Sequence, residues 1–569
     1  MLESKKIDRI VITLLSLAWL PLPFFNFDSH HDGLILTTVR LTKMAAAQNG
    51  SYPFNQYGPF WAWPYIWSSE LVSEEYQLLA LRFTTVIFYL ISTYILWKIS
   101  QMFLNKSDSR LVVILFLSLQ PFNTNFGSNL IPWPSSLGLL LSLLITFIFL
   151  KILSLSPQEN IIRIYLIILG SLLPLLFFTR IQVGLLTFLT IMIMSRKILF
   201  RFKYVHIITG FISSLLILIY FIVNKNWLRD SLNDLFIFGS TYLSLNNSGL
   251  PLPIFTMIGF AVFLTVLISA NNDKLNLLLS GKKLCVFAFI GIVTAFITYL
   301  ILTRRNLDGF YLFIIFSRRF WISLSLAFIV FAVLSIFLNY GSHGKLSFSS
   351  RDLIKVQSLI LFCISSMSQI VPFFDYMHFW WSSPLIFIIM IIVLKKIIML
   401  EYRKVFFTAR ARNLLTVVLL ISFITPWIFL MNQNRYSLPS YIGKGLIVNK
   451  EVSTRNANLQ SFFVKNIKTG SRILNLCEDS DVFFQNRKFV SASRFFVYWG
   501  NQMSSVEFIR LDLERARADV IVTCSSSLRS SEINSEGNFE DLFVEDFSKT
   551  FINRHEFNNE KSWVILSRS

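Results

Sequence analysis

Asp28, His30, His31 and Asp32 stand together in the run FDSHHDG, directly after the first long apolar stretch of the chain. Carboxylates beside imidazoles allow two chemistries. A carboxylate can accept the proton of an attacking hydroxyl. The same four side chains have the ligand types for a divalent metal such as Mg or Mn, although their spacing fixes no geometry. A plainer reading is that Asp28 or Asp32 caps the helix that follows. Cationic partners for an anion lie elsewhere: Arg180 in TRIQ, and Arg304, Arg305, Arg318 and Arg319 around the segment TRRNLDGFYLFIIFSRRF. The planar guanidinium fork suits phosphate. Arginines at span ends also snorkel to lipid headgroups, so each has that alternative. Asp375 and His378 are spaced for one helical face, beside Trp380 and Trp381. Such a group can line a sugar pocket or anchor the chain at the membrane interface.

The elements that must position these residues follow from composition. The chain has 569 residues, of which 54% are hydrophobic and only 15% charged, and its mean hydropathy is +0.59. Soluble domains carry about 25% charge, so this chain needs lipid to cover its apolar surface. Fifty-eight Phe with only 21 Gly and 16 Pro exclude disorder and fibrous repeats. Apolar runs near 82–99, 111–121, 132–150, 161–178, 181–194, 204–223, 252–270, 284–302, 320–339, 354–372, 383–399 and 413–431 join a first, uncleaved span after MLESKKIDRI. Together they predict about 13 transmembrane helices. With a cytoplasmic N-terminus the inside loops hold roughly 24 Lys and Arg and the short outside segments about 10, which sets orientation. The net charge of +20 is thereby mostly a matter of topology, and nucleic acid is excluded as a partner.

An odd number of spans places residues 432–569 outside. There the chain turns polar, with strand-like pieces SRILNLC, KFVSASRFFVYW, ADVIVTC and SWVILSRS and a helical LDLERARA. The division is therefore a membrane domain, 1–431, and a small α/β domain, 432–569. That second domain holds no Gly-rich phosphate loop, Ser-His-Asp arrangement or zinc spacing, so it carries no chemistry of its own. Cys477 and Cys524 lie in it and could pair outside the cell, while Cys285 and Cys363 lie in spans.

The long first outside loop, 28–81, is the feature with most to explain. Leu34, Thr38, Leu41, Ala45 and Gln48 share one helical face and Gly50 ends the segment, which predicts an amphipathic helix lying along the membrane. The Pro-punctuated SYPFNQYGPFWAWPYIW follows, and its aromatics Phe60, Trp61, Trp63, Tyr65 and Trp67 suit the interfacial belt.

Taken in order, the Asp and His-Asp-Gly after span one, the surface helix, and Tyr52-Pro53 with Gln56-Tyr57-Gly58-Pro59 resemble the first loop of integral-membrane glycosyltransferases with the GT-C fold. SQIVPFFDYMHFWWSSP at Ser368–Pro384 is similar to a late outside loop of bacterial members, and FTRIQVGL at Phe178–Leu185 is a fainter echo. The resemblance implies an all-α polytopic membrane domain with a C-terminal α/β extracytoplasmic domain. It also implies a polyprenyl-phosphate-linked sugar as donor, with a glycan, lipid or protein as acceptor. Asp32 would be the general base, with Asp28 as alternate. Arg180, Arg304, Arg305, Arg318 and Arg319 are the candidates for the donor phosphate. His30, His31, Gln56, Tyr57, Asp375, His378 and Trp380 would bind substrate. A divalent metal is needed by some members and not by others. The rival readings are a flippase of lipid-linked saccharides, a glycan polymerase or ligase, and a scaffold. A flippase predicts charges near span centres and two similar halves, which the sequence lacks.

Overall fold

The computed structural model describes residues 2–28, 31–48, 57–58, 60–119, 130–155, 160–198, 205–223, 350–370, 376–393, 409–475, 481–485, 490–492, 518–524, 553–557 and 563–567. The first part is helical: α1 (Leu2–Ala18), α2 (His31–Gln48), α3 (Ala62–Glu70), α4 (Gln77–Ser100), α5 (Lys106–Ser118), α6 (Pro134–Ser154), α7 (Ile161–Phe177), α8 (Ile181–Ile198) and α9 (Val205–Val223), then α10 (Ser350–Met367), α11 (Tyr376–Ser382), α12 (Pro384–Val393) and α13 (Ala409–Gln433). The apolar runs expected at 252–270, 284–302 and 320–339, together with Arg304, Arg305, Arg318 and Arg319, lie outside the described residues.

Two helices among the described residues, Glu74–Ser100 and Pro134–Ser154, are long and apolar enough to cross a membrane, and shorter apolar helices stand beside them. The outward faces decide the solvent. Ile87, Ile91 and Tyr94 on α4, Leu185, Phe188, Leu189 and Met192 on α8, and Ile208, Ile212 and Leu216 on α9 are all exposed at helical spacing. Apolar stripes of this length would aggregate in water and are matched to acyl chains. The protein is a mostly helical integral-membrane protein.

Inside the bundle, small residues let helices meet. A Cβ on Gly170 of α7 would fall 2.2 Å from the carbonyl oxygen of Ile207, and one on Gly210 of α9 would fall 2.1 Å from that of Ile167. Contact without side chains is the usual way apolar helices pack in lipid, where no hydrophobic drive favours association. Buried hydroxyls add short polar links: Ser142 to Ser366 at 2.7 Å and Thr190 to Ser365 at 2.9 Å.

The first-loop helix differs from its sequence expectation. Helix α2 forms, but Asp32 through Val39 are buried all round, so it is no amphipathic helix floating at the interface. The reason is tertiary. Helices α3 and α4 pack on it, as does the short 3-10 turn Asp481–Phe484, and Arg40 Nη1 donates to the carbonyl of Phe483 at 3.2 Å. The aromatic segment is likewise mixed. Trp61 and Tyr65 are core residues, and only Trp67 is broadly exposed.

Beyond α13 a two-stranded ribbon, β1 (Tyr436–Ser437) with β2 (Ile447–Val448), leads to α14 (Lys450–Asn466). Asn449 caps that helix by accepting from the Val452 amide. A five-stranded sheet follows, built from β3 (Arg472–Asn475), β4 (Val490–Ser491), β5 (Val520–Cys524), β6 (Asn553–Phe557) and β7 (Trp563–Ser567) in the order β4-β3-β5-β7-β6. Strands β3, β4 and β5 run parallel, while β7 is antiparallel to both β5 and β6. Strand β6 is polar and has no alternation to announce it. The expected helix at LDLERARA and Cys477 lie outside the described residues. This domain is tied to the first loop: the Asn26 amide donates to the Ile447 carbonyl at 2.7 Å, and Lys444 pairs with Glu75 at 3.0 Å.

Candidate active site

Asp32 is the most enclosed charge of the first loop. It and Arg82, in the second turn of α4, are fully buried. The guanidinium forks onto the carboxylate, with Nη2 on Oδ2 and Nε on Oδ1. Its remaining Nη1 donates to the carbonyls of Pro23, Phe25 and Asn26 at 2.9, 3.2 and 3.0 Å. Arg82 thus collects the end of the first span, the turn after it and the start of α2 around one cation. Asn26 takes φ 64° in that turn, a left-handed conformation that Asn tolerates better than most residues. Burial pushes the Asp32 carboxyl above its ordinary value, against the pull of Arg82. That direction suits a base, and both oxygens are engaged by Arg82 within the buried pair.

Asp28 has a different partner and its side chain is 9% exposed. Its amide donates to Asp32 Oδ2 at 3.0 Å, so Asp32 aims it. Its Oδ1 accepts from the His31 amide at 3.0 Å and its Oδ2 meets His31 Nδ1 at 2.7 Å. The His31 side chain is 28% exposed, and its ring stands edge-on to Trp133 with centroids 5.6 Å apart. Trp133 in turn meets Tyr57 at 5.4 Å, and the Arg180 guanidinium lies 4.7 Å above the Tyr57 ring. Four segments distant in sequence, bearing Asp28 with His31, Tyr57, Trp133 and Arg180, are thus linked by successive contacts.

The local reasons for that linkage are legible in backbone contacts. A Cβ on Gly58 would fall 2.0 Å from the carbonyl oxygen of Phe178, so only glycine lets the Tyr57 segment lie on the turn before Arg180. The Phe60 amide donates to that same carbonyl at 2.9 Å. Arg180, between α7 and α8, reaches Ser135 Oγ in the first turn of α6. One turn on, a Cβ at Gly138 would lie 3.1 Å from Arg180 Cγ and 3.6 Å from Gln369 Oε1. A buried arginine, the N-terminus of α6 and a buried amide thus share one patch, and a helix N-terminus adds its partial positive charge to the cation.

The other expected site residues divide in two. His30, Gln56 and Asp375 lie outside the described residues. His378 packs edge-on against Trp381 at 5.4 Å. Trp380, expected to bind substrate, is packed in the aromatic core. It is 2% exposed, stacks on Phe116 at 4.7 Å between Trp19 and Tyr89, and gives its indole N–H to the Phe116 carbonyl. Among the described residues no three His, Cys, Asp or Glu side chains gather as metal ligands. Asp28 and His31 face each other while Asp32 faces Arg82.

Sequence reasoning missed Arg82, Trp133, Ser135 and Gln369. Arg82 had a signal, a cation at the very start of an apolar run, which membrane spans rarely hold without a partner. Gln369 lies inside the SQIVPFF segment but has an unremarkable type.

No protein-family model matches the chain, and no curated protein matches it. Solved structures of low similarity exist. The oligosaccharyltransferase of Archaeoglobus fulgidus tethered to an acceptor peptide is 11% identical with a TM-score of 0.49, over 99% of this chain and 74% of that one. The same organism's AglB with an inhibitory peptide and dolichol-phosphate gives 9% and 0.46, over 91% and 69%. ArnT from Cupriavidus metallidurans bound to undecaprenyl phosphate gives 11% and 0.40, over 98% and 97%.

Proposed function

We propose that the chain is a membrane glycosyltransferase that moves a sugar from a polyprenyl-phosphate-linked donor to an acceptor on the extracytoplasmic side, with inversion. The observation that supports this best is the run of contacts from the Asp28–His31 pair, whose imidazole is partly exposed, through Trp133 and Tyr57 to the Arg180 patch. The donor phosphate sits against Arg180, Ser135 and the head of α6. The acceptor oxygen attacks the anomeric carbon from the opposite face while Asp28 takes its proton. The bond from the anomeric carbon to the phosphate oxygen breaks, and the lipid phosphate leaves with the electron pair. Arg180 meets the charge that grows on it, which is the selective part of the stabilisation. His31 holds Asp28 in orientation. Asp32, whose oxygens are taken by Arg82, positions Asp28 through its amide and takes no proton.

The test is direct. The full chain is purified, its retained lipid-linked sugars are identified by mass spectrometry, and transfer from that lipid is measured for wild type and Asp28→Asn. The substitution keeps size and removes the base, so transfer collapses while donor binding persists. Wild-type turnover by the Asn variant would overturn the reading.

A further inference from the structure

Two hydrogen-bonding side chains beside Arg180 have no partner among the described residues. Both amide atoms of Gln369 are unpaired in a fully buried side chain, and so is the indole N–H of buried Trp133. Buried polar groups left unmade are costly, and a folded chain keeps few of them without a use. Their position is built. Ser142 is bonded to Ser366, and one turn beyond each, toward Arg180, stand Gly138 and Gln369. The missing side chain at Gly138 leaves Gln369 Oε1 and the Arg180 stem on one surface. Trp133 lies on the other side of Ser135, between His31 and Tyr57.

Resting on the glycosyltransferase reading above, we infer that Gln369, helped by Trp133, is the neutral half of the donor seat and binds a sugar hydroxyl beside the phosphate held by Arg180. The chemistry follows from donor and acceptor types. A guanidinium only donates and carries charge, so Arg180 serves the phosphate oxygens, whereas the neutral indole N–H of Trp133 can give to a sugar oxygen but can take nothing. A sugar hydroxyl both gives and takes a hydrogen bond. Gln369 Oε1 is the one unpaired acceptor of the patch among the described residues, and Nε2 donates from the same amide. Arg180 alone would hold the bare lipid phosphate, a monoester of larger charge, at least as well as the loaded diester. Gln369 gives the site its preference for the carrier that still bears a sugar, and it lets the spent carrier go.

The test measures binding of two probes, undecaprenyl phosphate and glucosyl phosphoryl undecaprenol, to the full chain in nanodiscs. Wild type holds the loaded probe about tenfold more tightly, the worth of one good hydrogen bond. Gln369→Leu abolishes that preference and leaves affinity for the bare probe unchanged, and Trp133→Phe lowers it in part. Arg180→Ala weakens both probes. Without lipid, Gln369→Leu melts at or above the wild-type temperature, because an unpaired amide has been removed. A preference retained in Gln369→Leu, a wild type with no preference, or a leucine variant that melts lower with its preference intact would each overturn the inference alone. Failure of wild type to bind either probe, or an Arg180→Ala variant that binds both normally, would overturn the underlying function as well.

Discussion

Asp32 and Asp28 are one helical turn apart and have different surroundings. Around Asp32 both oxygens are engaged: Arg82 forks onto the carboxylate and spends its third nitrogen on three backbone carbonyls. Asp28 is paired with the partly exposed His31 imidazole and accepts from the His31 amide, and the patch beyond contains buried groups with unmade hydrogen bonds. A saturated ion pair fixes geometry and performs no chemistry. A partly unsatisfied shell costs stability and leaves room for substrate. The second region depends on the first, because the Asp28 amide hangs from Asp32.

The contrast can be broken at either end. The largest expected effect is on turnover: Asp28→Asn lowers the transfer rate by about 10³-fold, within the range for a lost general base, with an unchanged melting temperature. Equal losses of rate and stability would merge the two regions. Arg82→Ala should do the reverse and cost about 3–5 kcal/mol by stranding a buried carboxylate, measured by thermal unfolding in detergent. The double variant Asp32→Leu, Arg82→Met removes both charges, so it should recover much of that stability without recovering transfer.

Gly58→Ala sharpens the comparison at intermediate size. Its methyl group meets the Phe178 carbonyl, and overpacking of this kind costs about 1–3 kcal/mol. Because it lifts Tyr57 from Arg180, donor affinity should fall more than for an equally destabilising change elsewhere. The smallest effect belongs to the aromatic core. Trp381 donates to the Tyr89 hydroxyl at 2.6 Å, and that hydroxyl also meets Ser136 at 2.8 Å. Tyr89→Phe should cost about 1 kcal/mol and leave transfer kinetics at the wild-type level. A changed donor affinity there would show that the core is part of the site.

Much of the fold was legible beforehand. Apolar runs at 82–99, 132–150 and 161–178 coincide with α4, α6 and α7, because lipid demands long uninterrupted apolar stretches. Four of the strands fall in pieces read as alternating or continuous β patterns, whereas β6, NRHEF, owes its state to pairing with β7. The helix at α2 was also readable, but its burial was not. Its apolar stripe says that one face must be covered, and the cover comes from α3, α4 and a turn more than four hundred residues away.

The sequence by itself determined the medium, the helices and the residue types available for chemistry, since composition and periodicity are local properties that solvent reads directly. Tertiary structure decided which of two carboxylates pairs with Arg82 and which with His31, that Trp380 belongs to the core, and that Tyr57, Trp133, Arg180 and Gln369 lie in linked contact. Pairing depends on which helices touch, and close approaches at Gly58 and Gly138 are set by distance in space, to which spacing along the chain is blind.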